Sequence, residues 1–303
     1  MKRNSGSLLS GIALICLTIL AGCDNGSETV DTSAPTIELE DPAFGESFSA
    51  GNSVHFEAAF TDDIELGAYK IDIHNNFDGH SHGRIAKSTE DPALIKWSFS
   101  QSFDFDAGLK NSDVHLHDEL EIPLNTMAGP YHFILSAVDR SGNATSYQDN
   151  STKEVEIYLT NGSMPAVDIT NLSNDELEIE VGQTFMVTGN VTDPTDGQYA
   201  GMHAIEIVLG EGHEGEHDHD HGGRLAEEDL IDFDLDEEAL EPFMADGAIV
   251  LDLIFEEINF SLTQQQLSEL IAEEVDHLQL MIKVYDEQGN IAVSITEVHV
   301  HMD

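Results

Sequence analysis

A stretch in the middle of the chain, residues 129–143, reads GPYHFILSAVDRSGN and carries the pattern of one strand with the turn that follows it. Apolar residues alternate with others from Tyr131 to Val138, as they do when one face of a strand is buried. Gly129-Pro130-Tyr131 suits a corner where the chain enters a late strand and the tyrosine bonds back to the backbone. Gly142 and Asn143 tolerate positive φ and favour a hairpin turn. The stretch therefore predicts a strand and turn of an all-β fold.

Similar period-two patterns lie on both sides of this stretch, and Pro, Gly, Asn and Asp cluster between them. Roughly seven short strands within about 125 residues favour an immunoglobulin-like sandwich. The predicted strands are Thr36 to Glu40, Ser53 to Phe60, Tyr69 to His74, Leu94 to Phe103, His117 to Leu124, Tyr131 to Val138 and Glu154 to Leu159.

The second half of the chain repeats this plan. The turn Asp139-x-x-Gly142-Asn143 returns as Asp286-x-x-Gly289-Asn290. We therefore predict an all-β chain of two tandem immunoglobulin-like β-sandwiches, over residues 35–161 and 165–303. The segment that joins them lies near residues 160–164.

Two insertions distinguish the second predicted sandwich. Thr263 and Gln266 have the spacing of a capping box, and the apolar residues after them predict a short helix that packs on the core. These apolar residues are Leu267, Leu270 and Ile271. Residues 211–241 form an acidic, histidine-rich run, whose first part we expect to be a mobile loop.

The N-terminus has the pattern of an export signal. Lys2 and Arg3 precede an apolar run over residues 8–20, which is shorter than the roughly 20 residues of a membrane-spanning helix. The run ends in Leu20-Ala21-Gly22-Cys23, which resembles the bacterial lipobox. We expect a signal peptide over residues 1–22, lipid attached to Cys23, and a tether over residues 23–34. An ordinary signal peptide followed by a chance cysteine is the alternative.

The predicted anchor places the protein in the cell envelope, held by lipid in the outer membrane and facing either the periplasm or the surface. The chain has 59 Asp and Glu residues against 11 Lys and Arg, for a formal net charge of -48. Such a surface repels nucleic acid and anionic membranes and attracts cations. Solubility or adaptation to salt would explain many of the same carboxylates.

Histidine is the unusual residue of this acidic chain, which has 15 of them in clusters. Neutral imidazole and carboxylate oxygen are common ligands of zinc and other divalent transition metals. Alternation places His74 and His132 on the face away from the core, and antiparallel pairing of their strands would bring them together. The predicted ligands are His74, Asp78, His80, His82, His115, His117 and His132 in the first sandwich, and His213, His217, His219 and His221 in the second.

Ordinary surface histidines are the alternative explanation. A single strand histidine such as His132 is often hydrogen-bonded at the surface without a metal. His299 and His301 alternate with valines, so we expect them to line a solvated face. The run from His213 to His221 would lose conformational entropy on closing around an ion, which suits capture and release better than permanent binding.

Several of these motifs together resemble a known family. They are Asp78-Gly79-His80-Ser81-His82, His115-x-His117, Glu121-Ile122-Pro123, Gly129-Pro130-Tyr131-His132-Phe133 and Asp139-x-x-Gly142-Asn143. The combination resembles an uncharacterised lipoprotein family of Bacteroidota whose immunoglobulin-like domains form a domain of unknown function. The resemblance covers residues 35–161 well and 165–303 loosely, since His277-Leu278-Gln279-Leu280 stands where the Tyr-His-Phe element is expected. It implies cell-envelope placement and no particular reaction.

These features predict a membrane-anchored, extracytoplasmic lipoprotein that captures or buffers a divalent metal, with zinc as the first choice, for an outer-membrane transporter. The sequence lacks His-Glu-x-x-His, Gly-x-Ser-x-Gly and phosphate-binding glycine motifs, so we do not expect an enzyme. The alternative function is a structural or adhesive cell-surface spacer in which the histidines have no metal role.

Overall fold

The protein is described by a computed structural model over residues 31–77, 94–194, 201–211, 229–272 and 278–301. From Thr32 onward, the described residues belong to one compact unit. Within the described ranges, no helix combines the length and the apolar character needed to cross a membrane. Several predicted site residues lie outside these ranges: Cys23, Asp78, His80, His82, His213, His217, His219 and His221.

The first half of the unit consists of strands in two sheets. The strands are β1 (Thr36–Asp41), β2 (Ser47–Ser49), β3 (Phe56–Thr61), β4 (Leu66–Asn75), β5 (Ser98–Asp104), β6 (Asn111–Leu116), β7 (Gly129–Asp139) and β8 (Lys153–Thr160), with a 3-10 turn at Tyr147–Asp149. One sheet has the order β1-β3-β6 and the other the order β2-β8-β7-β4-β5. Neighbouring strands are antiparallel, except that β2 runs parallel to β8.

The second half repeats the two-sheet plan. Its strands are β9 (Ala166–Ile169), β10 (Leu177–Glu180), β11 (Gly189–Thr192), β12 (Met202–Glu211), β13 (Ile231–Asp236), β14 (Met244–Ala245), β15 (Ala248–Val250), β16 (Leu278–Asp286) and β17 (Ile291–His301). Its helices are α1 (Glu237–Leu240), α2 (Leu251–Ile258) and α3 (Gln264–Ala272), with a 3-10 turn at Glu241–Phe243. The sheets have the orders β10-β17-β16-β12-β13 and β14-β15-β11-β9. The fold class is therefore all-β with two immunoglobulin-like sandwiches.

Each sandwich closes around its own apolar cluster. Phe56, Ile71 and Phe133 are fully buried in the first cluster, and Ile207 and Ile282 are fully buried in the second. On each strand, buried residues such as these alternate with residues whose side chains point away from the core. Burying one such side chain contributes about 1.5–3 kcal/mol, which fixes the inward face of each strand. The outward positions of the first sandwich include polar residues such as Asp72 and Glu154, whereas Val208 and Met281 of the second sandwich form a small apolar cluster of their own.

The corner predicted before Tyr131 is confirmed. The Tyr131 hydroxyl donates to the Met127 carbonyl at 3.0 Å and accepts from the Trp97 backbone N–H at 3.4 Å. The ring is fully buried. Burial is the main reason that its pKa lies well above the ordinary tyrosine value. Tyr131 therefore fixes the entry of β7, and with it the position of His132.

The two repeated turns share one hydrogen-bonding scheme. Asp139 accepts from the Gly142 and Asn143 backbone N–H groups, and Asp286 accepts from that of Asn290. Gly142 has φ of 96° and Gly289 has φ of 95°, in the left-handed region that favours glycine. The internal repeat inferred from these motifs is therefore present in the turns.

One predicted strand is wrong. Residues 117–124 were expected to form a strand, but β6 ends at Leu116. The backbone N–H groups of His117 and Asp118 instead donate to the Glu119 side chain, at 3.0 and 3.1 Å. Leu120 and Ile122 keep backbone hydrogen bonds to residues 51–54, and Glu121 forms an isolated bridge with Ser53, so the pairing that remains is too short to form a strand. The strand signal belongs to the preceding residues.

The predicted helix of the second sandwich is α3, and its capping box is confirmed. The Thr263 N–H donates to Gln266 Oε1 at 3.0 Å, and the Gln266 N–H donates to Thr263 Oγ1 at 3.2 Å. Leu267 and Leu270 pack against the core as expected. Ile271 is 58% exposed, so its assignment to the buried face is wrong. The helix is short enough that the core covers only one row of its side chains.

The two sandwiches meet through the turn before β17. The Asn290 side-chain oxygen accepts from the Ala128 N–H at 2.9 Å and from Asn161 Nδ2 at 2.7 Å. The Ile291 N–H donates to the Ala128 carbonyl at 2.9 Å, and Ile291 is buried in the first cluster. Asn161 lies between β8 and β9, where the predicted boundary between the domains falls.

Candidate metal centre

The described histidines of the first sandwich lie on two different outer faces. His74 and His132 are on the five-stranded sheet, on β4 and β7. His115 is on β6 of the three-stranded sheet, and His117 follows it. Apolar neighbours of both sets pack on the core between the sheets, so the imidazoles point away from it on both sides.

His74 and His132 face each other across β4 and β7, as the sequence predicted. They are register partners in this antiparallel pair. Their ring centroids are 5.5 Å apart, and the planes meet at 76°. The neighbours Ile73 and Phe133 are also partners and are fully buried, which turns both imidazoles outward. The backbone register, rather than a loop, therefore holds the two rings together.

Each of these imidazoles has a carboxylate at its Nδ1 atom. His74 Nδ1 is 3.1 Å from Asp72 Oδ1, and His132 Nδ1 is 3.1 Å from Glu154 Oε1. A carboxylate in this position favours the tautomer that carries its proton on Nδ1, so that Nε2 is the unprotonated ring nitrogen. Histidines that bind metal are commonly oriented in the same way. The pair therefore offers two imidazole nitrogens, whereas a zinc centre commonly has four ligands.

The two carboxylates are themselves held by neighbours. Burial raises the pKa of Asp72, but hydrogen bonds from Lys70, Ser100 and His74 together bring it below its ordinary value. Tyr147 is hydrogen-bonded to Glu154. Burial, followed by the charge of Glu154, raises the pKa of Tyr147 to about 12. Asp72 therefore stays ionised at neutral pH, with its direction fixed by three donors.

The structure does not join His115 and His117 to this pair. We expected one group of first-sandwich ligands, but the described members separate between the outer faces of opposite sheets. His115 Nδ1 instead lies 3.2 Å from Glu57 Oε1, and His117 stacks on His55 with ring centroids 4.8 Å apart. The cause is the strand order, since β6 pairs with β3 rather than with β4 or β7.

Sequence reasoning missed His55 and the two carboxylates beside it. His55 Nδ1 lies 3.3 Å from Asp41 Oδ2. One possible ligand atom from each of Asp41, His55 and Glu57 lies within 4.8 Å of the others. The signal that could have found them is His55-x-Glu57, because alternate residues of a strand share a face. Asp41 is distant in sequence and becomes a neighbour only through strand pairing.

The described histidines of the second sandwich are His203, which is buried on β12, and the pair His299 and His301 on β17. His299 is exposed on β17, and His301 Nε2 lies 3.6 Å from Glu178 Oε2. The rings are 5.0 Å apart. They lie on the polar side of β17, where Val298 faces the core, so the expected solvated face is confirmed.

Comparisons with known proteins give the following similarities. A family model described as "Domain of unknown function (DUF4625)" matches residues 21–158. Fibronectin(III)-like modules of CbhA from Clostridium thermocellum are 10% identical, with 88% of this chain and 94% of that chain covered and a TM-score of 0.24. A chimeric titin Z1Z2-Z1Z2 tandem is also 10% identical, with 88% and 100% covered and a TM-score of 0.25. No curated protein matches the sequence. The part of the chain from residue 21 into β8, which carries the His74–His132 pair, is therefore similar to the DUF4625 domain of unknown function.

Proposed function

We propose that this protein is a membrane-anchored, extracytoplasmic lipoprotein that binds a divalent transition metal, with zinc as the first choice. It would buffer the ion or pass it to an outer-membrane transporter. The observation that supports the proposal best is the His74–His132 pair, with ring centroids 5.5 Å apart and a carboxylate at each Nδ1 atom. Oriented imidazoles of this kind are the usual nitrogen ligands of zinc.

Two imidazoles do not complete a zinc centre, which commonly has four ligands. The other predicted ligands of this group, Asp78, His80 and His82, follow β4 closely in sequence but lie outside the described residues. Water could occupy a remaining position, as it does in open zinc sites. A centre with an exchangeable position suits a carrier that must release its ion.

Placement in the cell envelope is part of the proposal. The motif Leu20-Ala21-Gly22-Cys23 supports lipid attachment at Cys23, and hence a membrane partner through that anchor. The formal net charge of -48 supports capture of cations, because an acidic surface raises their local concentration. An outer-membrane transporter is the recipient that this location suggests.

The test is zinc binding by equilibrium dialysis at pH 7.5 and pH 5.5. The background chain has His213, His217, His219 and His221 replaced by alanine, so that this run does not contribute. We expect His74→Ala with His132→Ala to remove one equivalent of zinc at pH 7.5. Binding by the unsubstituted pair should also fall at pH 5.5, because imidazole must be neutral to bind metal and the reference histidine pKa is about 6.5.

The matched control is His301→Ala, which removes a partly exposed histidine that also has a carboxylate partner. It should leave the zinc stoichiometry unchanged. If the double variant binds as much zinc as its parent, or if uptake is equal at the two pH values, ligation by His74 and His132 is excluded.

A structural or adhesive spacer is the second candidate. It is favoured by the hydrogen bonds of Asn290, which tie one sandwich to the other and would keep a spacer from bending freely at that point. In that case, cells that carry the variant without His74 and His132 would attach to a surface as well as cells that carry the parent. Loss of zinc binding would have no effect on attachment. Cell-attachment assays on the two chains distinguish these functions.

A further inference from the structure

The outer face of the sheet β1-β3-β6 carries a second group of imidazoles and carboxylates. Its members are Asp41, His55, Glu57, His115 and His117, which we call the β3 cluster. It lies on the opposite side of the first sandwich from the His74–His132 pair, because the strands that carry the cluster and the strands that carry the pair belong to different sheets. Any function of this cluster is therefore separate from that of the pair.

Strand geometry explains why these residues come together. Phe56 and Ala58 face the core, so His55 and Glu57 point outward from the same side of the chain. Glu57 is the register partner of Asp41 on β1 and of His115 on β6. The three residues therefore form a row across the sheet, and directly paired residues have Cβ atoms about 4.5–5.5 Å apart.

The spacing of the donor atoms is close to that of a metal site. A tetrahedral ion with bonds of about 2.1 Å separates its ligand atoms by about 3.4 Å. His55 Nδ1 and Asp41 Oδ2 are 3.3 Å apart, and atoms of Asp41, His55 and Glu57 all lie within 4.8 Å of one another. The Asp41 and Glu57 carboxylates are partly exposed, so small rotations of these two side chains can close the remaining gap.

The other two members support this arrangement. His115 Nδ1 lies 3.2 Å from Glu57 Oε1 and orients that carboxylate from β6. The His117 ring stacks on His55 at 4.8 Å with an interplanar angle of 15°, which restricts rotation of the His55 ring. Partners that orient the ligands in this way are typical of metal sites.

We propose that Asp41, His55 and Glu57 form a second divalent-cation site, independent of the His74–His132 pair. One nitrogen and two carboxylate oxygens make a harder donor set than two imidazoles. The site should therefore accept Mn²⁺ as well as Zn²⁺, whereas the imidazole pair should favour Zn²⁺. The protein would then hold cations on both faces of its first sandwich.

The experiment is a zinc titration of the mature chain, followed through the imidazole ¹⁵N resonances of individual histidines. The same background with His213, His217, His219 and His221 replaced by alanine is used. A nitrogen that binds zinc shifts strongly, so His55 and His74 report on the two sites separately. We expect the His55 nitrogens to shift and to saturate, with Asp41→Asn and Glu57→Gln each weakening that response at least tenfold.

Glu57→Gln keeps the shape of its side chain and does not touch the core positions Phe56 and Ala58, so the fold should persist, and circular dichroism checks this. His301→Ala is the control and should not alter the His55 response. The proposal is overturned if the His55 nitrogens do not shift at saturating zinc, or if the two carboxylate variants titrate like the parent. A shift at His55 with none at His74 or His132 would support this site while refuting the proposed function of the pair.

Discussion

At the scale of single residues, the carboxylates beside His74 and His132 matter as much as the imidazoles. Glu154 lies 3.1 Å from His132 Nδ1 and is also hydrogen-bonded to Tyr147. Asp72 is held by Lys70 at 2.8 Å and by Ser100 at 2.9 Å. Both carboxylates therefore have directions fixed before any ion binds, and each can hold its histidine in one tautomer.

We predict that Glu154→Gln weakens zinc binding at the pair by about 10–100-fold without changing the stoichiometry, because Glu154 positions His132 and is not itself a ligand. Calorimetric titration measures the affinity. The ¹⁵N spectrum of His132 should also show less of the tautomer with its proton on Nδ1, which a merely structural role of Glu154 would not cause. Glu178→Gln, beside His301, is the matched control. An unchanged affinity in Glu154→Gln would refute the positioning role.

At the scale of elements, α3 shows how a local motif acts within a β fold. Its first turn is closed by Thr263 and Gln266, while Leu267 and Leu270 attach it to the second core. In the same helix, the Ser268 hydroxyl donates back to the Gln264 carbonyl at 2.7 Å. The Thr263 cap should stabilise the helix more than the Ser268 hydrogen bond does, because only the cap provides a partner for an otherwise unpaired backbone N–H.

We predict that Thr263→Ala destabilises α3 by about 1 kcal/mol, because the Gln266 N–H loses its partner. Hydrogen exchange at the Gln266 amide measures the local effect and should become faster. Ser268→Ala serves as the control within the same helix and should leave exchange at Gln266 nearly unchanged. Equal acceleration in both variants would show that the capping box does not hold the helix end.

The elements also show what the sequence could and could not predict. The proximity of His74 and His132 followed from alternation and from antiparallel pairing, both of which are local rules. The helix α2 was missed, although it buries Leu251, Ile254 and Phe255. Its apolar run is too short for periodicity to separate a helix from a buried strand.

The β3 cluster could not be predicted for a different reason. His55 has no second histidine beside it in sequence, so no His-x-His motif marks it. Its partner Asp41 comes from β1 through the register of β1 with β3. Contacts between distant segments depend on strand order, and the order β1-β3-β6 is a property of the whole sandwich. The same order also separated His115 and His117 from the pair where they were expected.

At the scale of the whole molecule, the buried Asp286–Asn290 turn connects the two halves. Asp286 accepts from the Asn290 N–H at 2.8 Å and from Asn290 Nδ2 at 2.8 Å, and Asn290 in turn accepts from Ala128. Both side chains are fully buried. Burial raises the pKa of Asp286 to about 6, with Asn290 opposing and Asp193 reinforcing the shift. The junction between the sandwiches thus contains a carboxyl group whose pKa lies above the ordinary value of an aspartate.

The sign of its pH dependence follows from the raised pKa. The folded state binds a proton more tightly at Asp286 than the unfolded state does, so this contribution to stability is present at low pH and is lost as pH rises through about 6. We predict that, as the pH rises from 4 to 6, the free energy of unfolding falls less steeply in Asp286→Asn than in the parent. Denaturant titrations at several pH values measure the difference. Parallel curves for the two proteins would contradict it.

The hydrogen bond from Ala128 to Asn290 joins positions 162 residues apart, so a chain cut anywhere before Asn290 cannot form it. Ala128 is buried in the intact protein, but in such a fragment its amide would have to rely on water. The Ala128 carbonyl would also lose the Ile291 N–H, which is its partner across the junction. Proteolytic loss of the C-terminal strand would therefore expose one end of the first sandwich, although that strand belongs to the second.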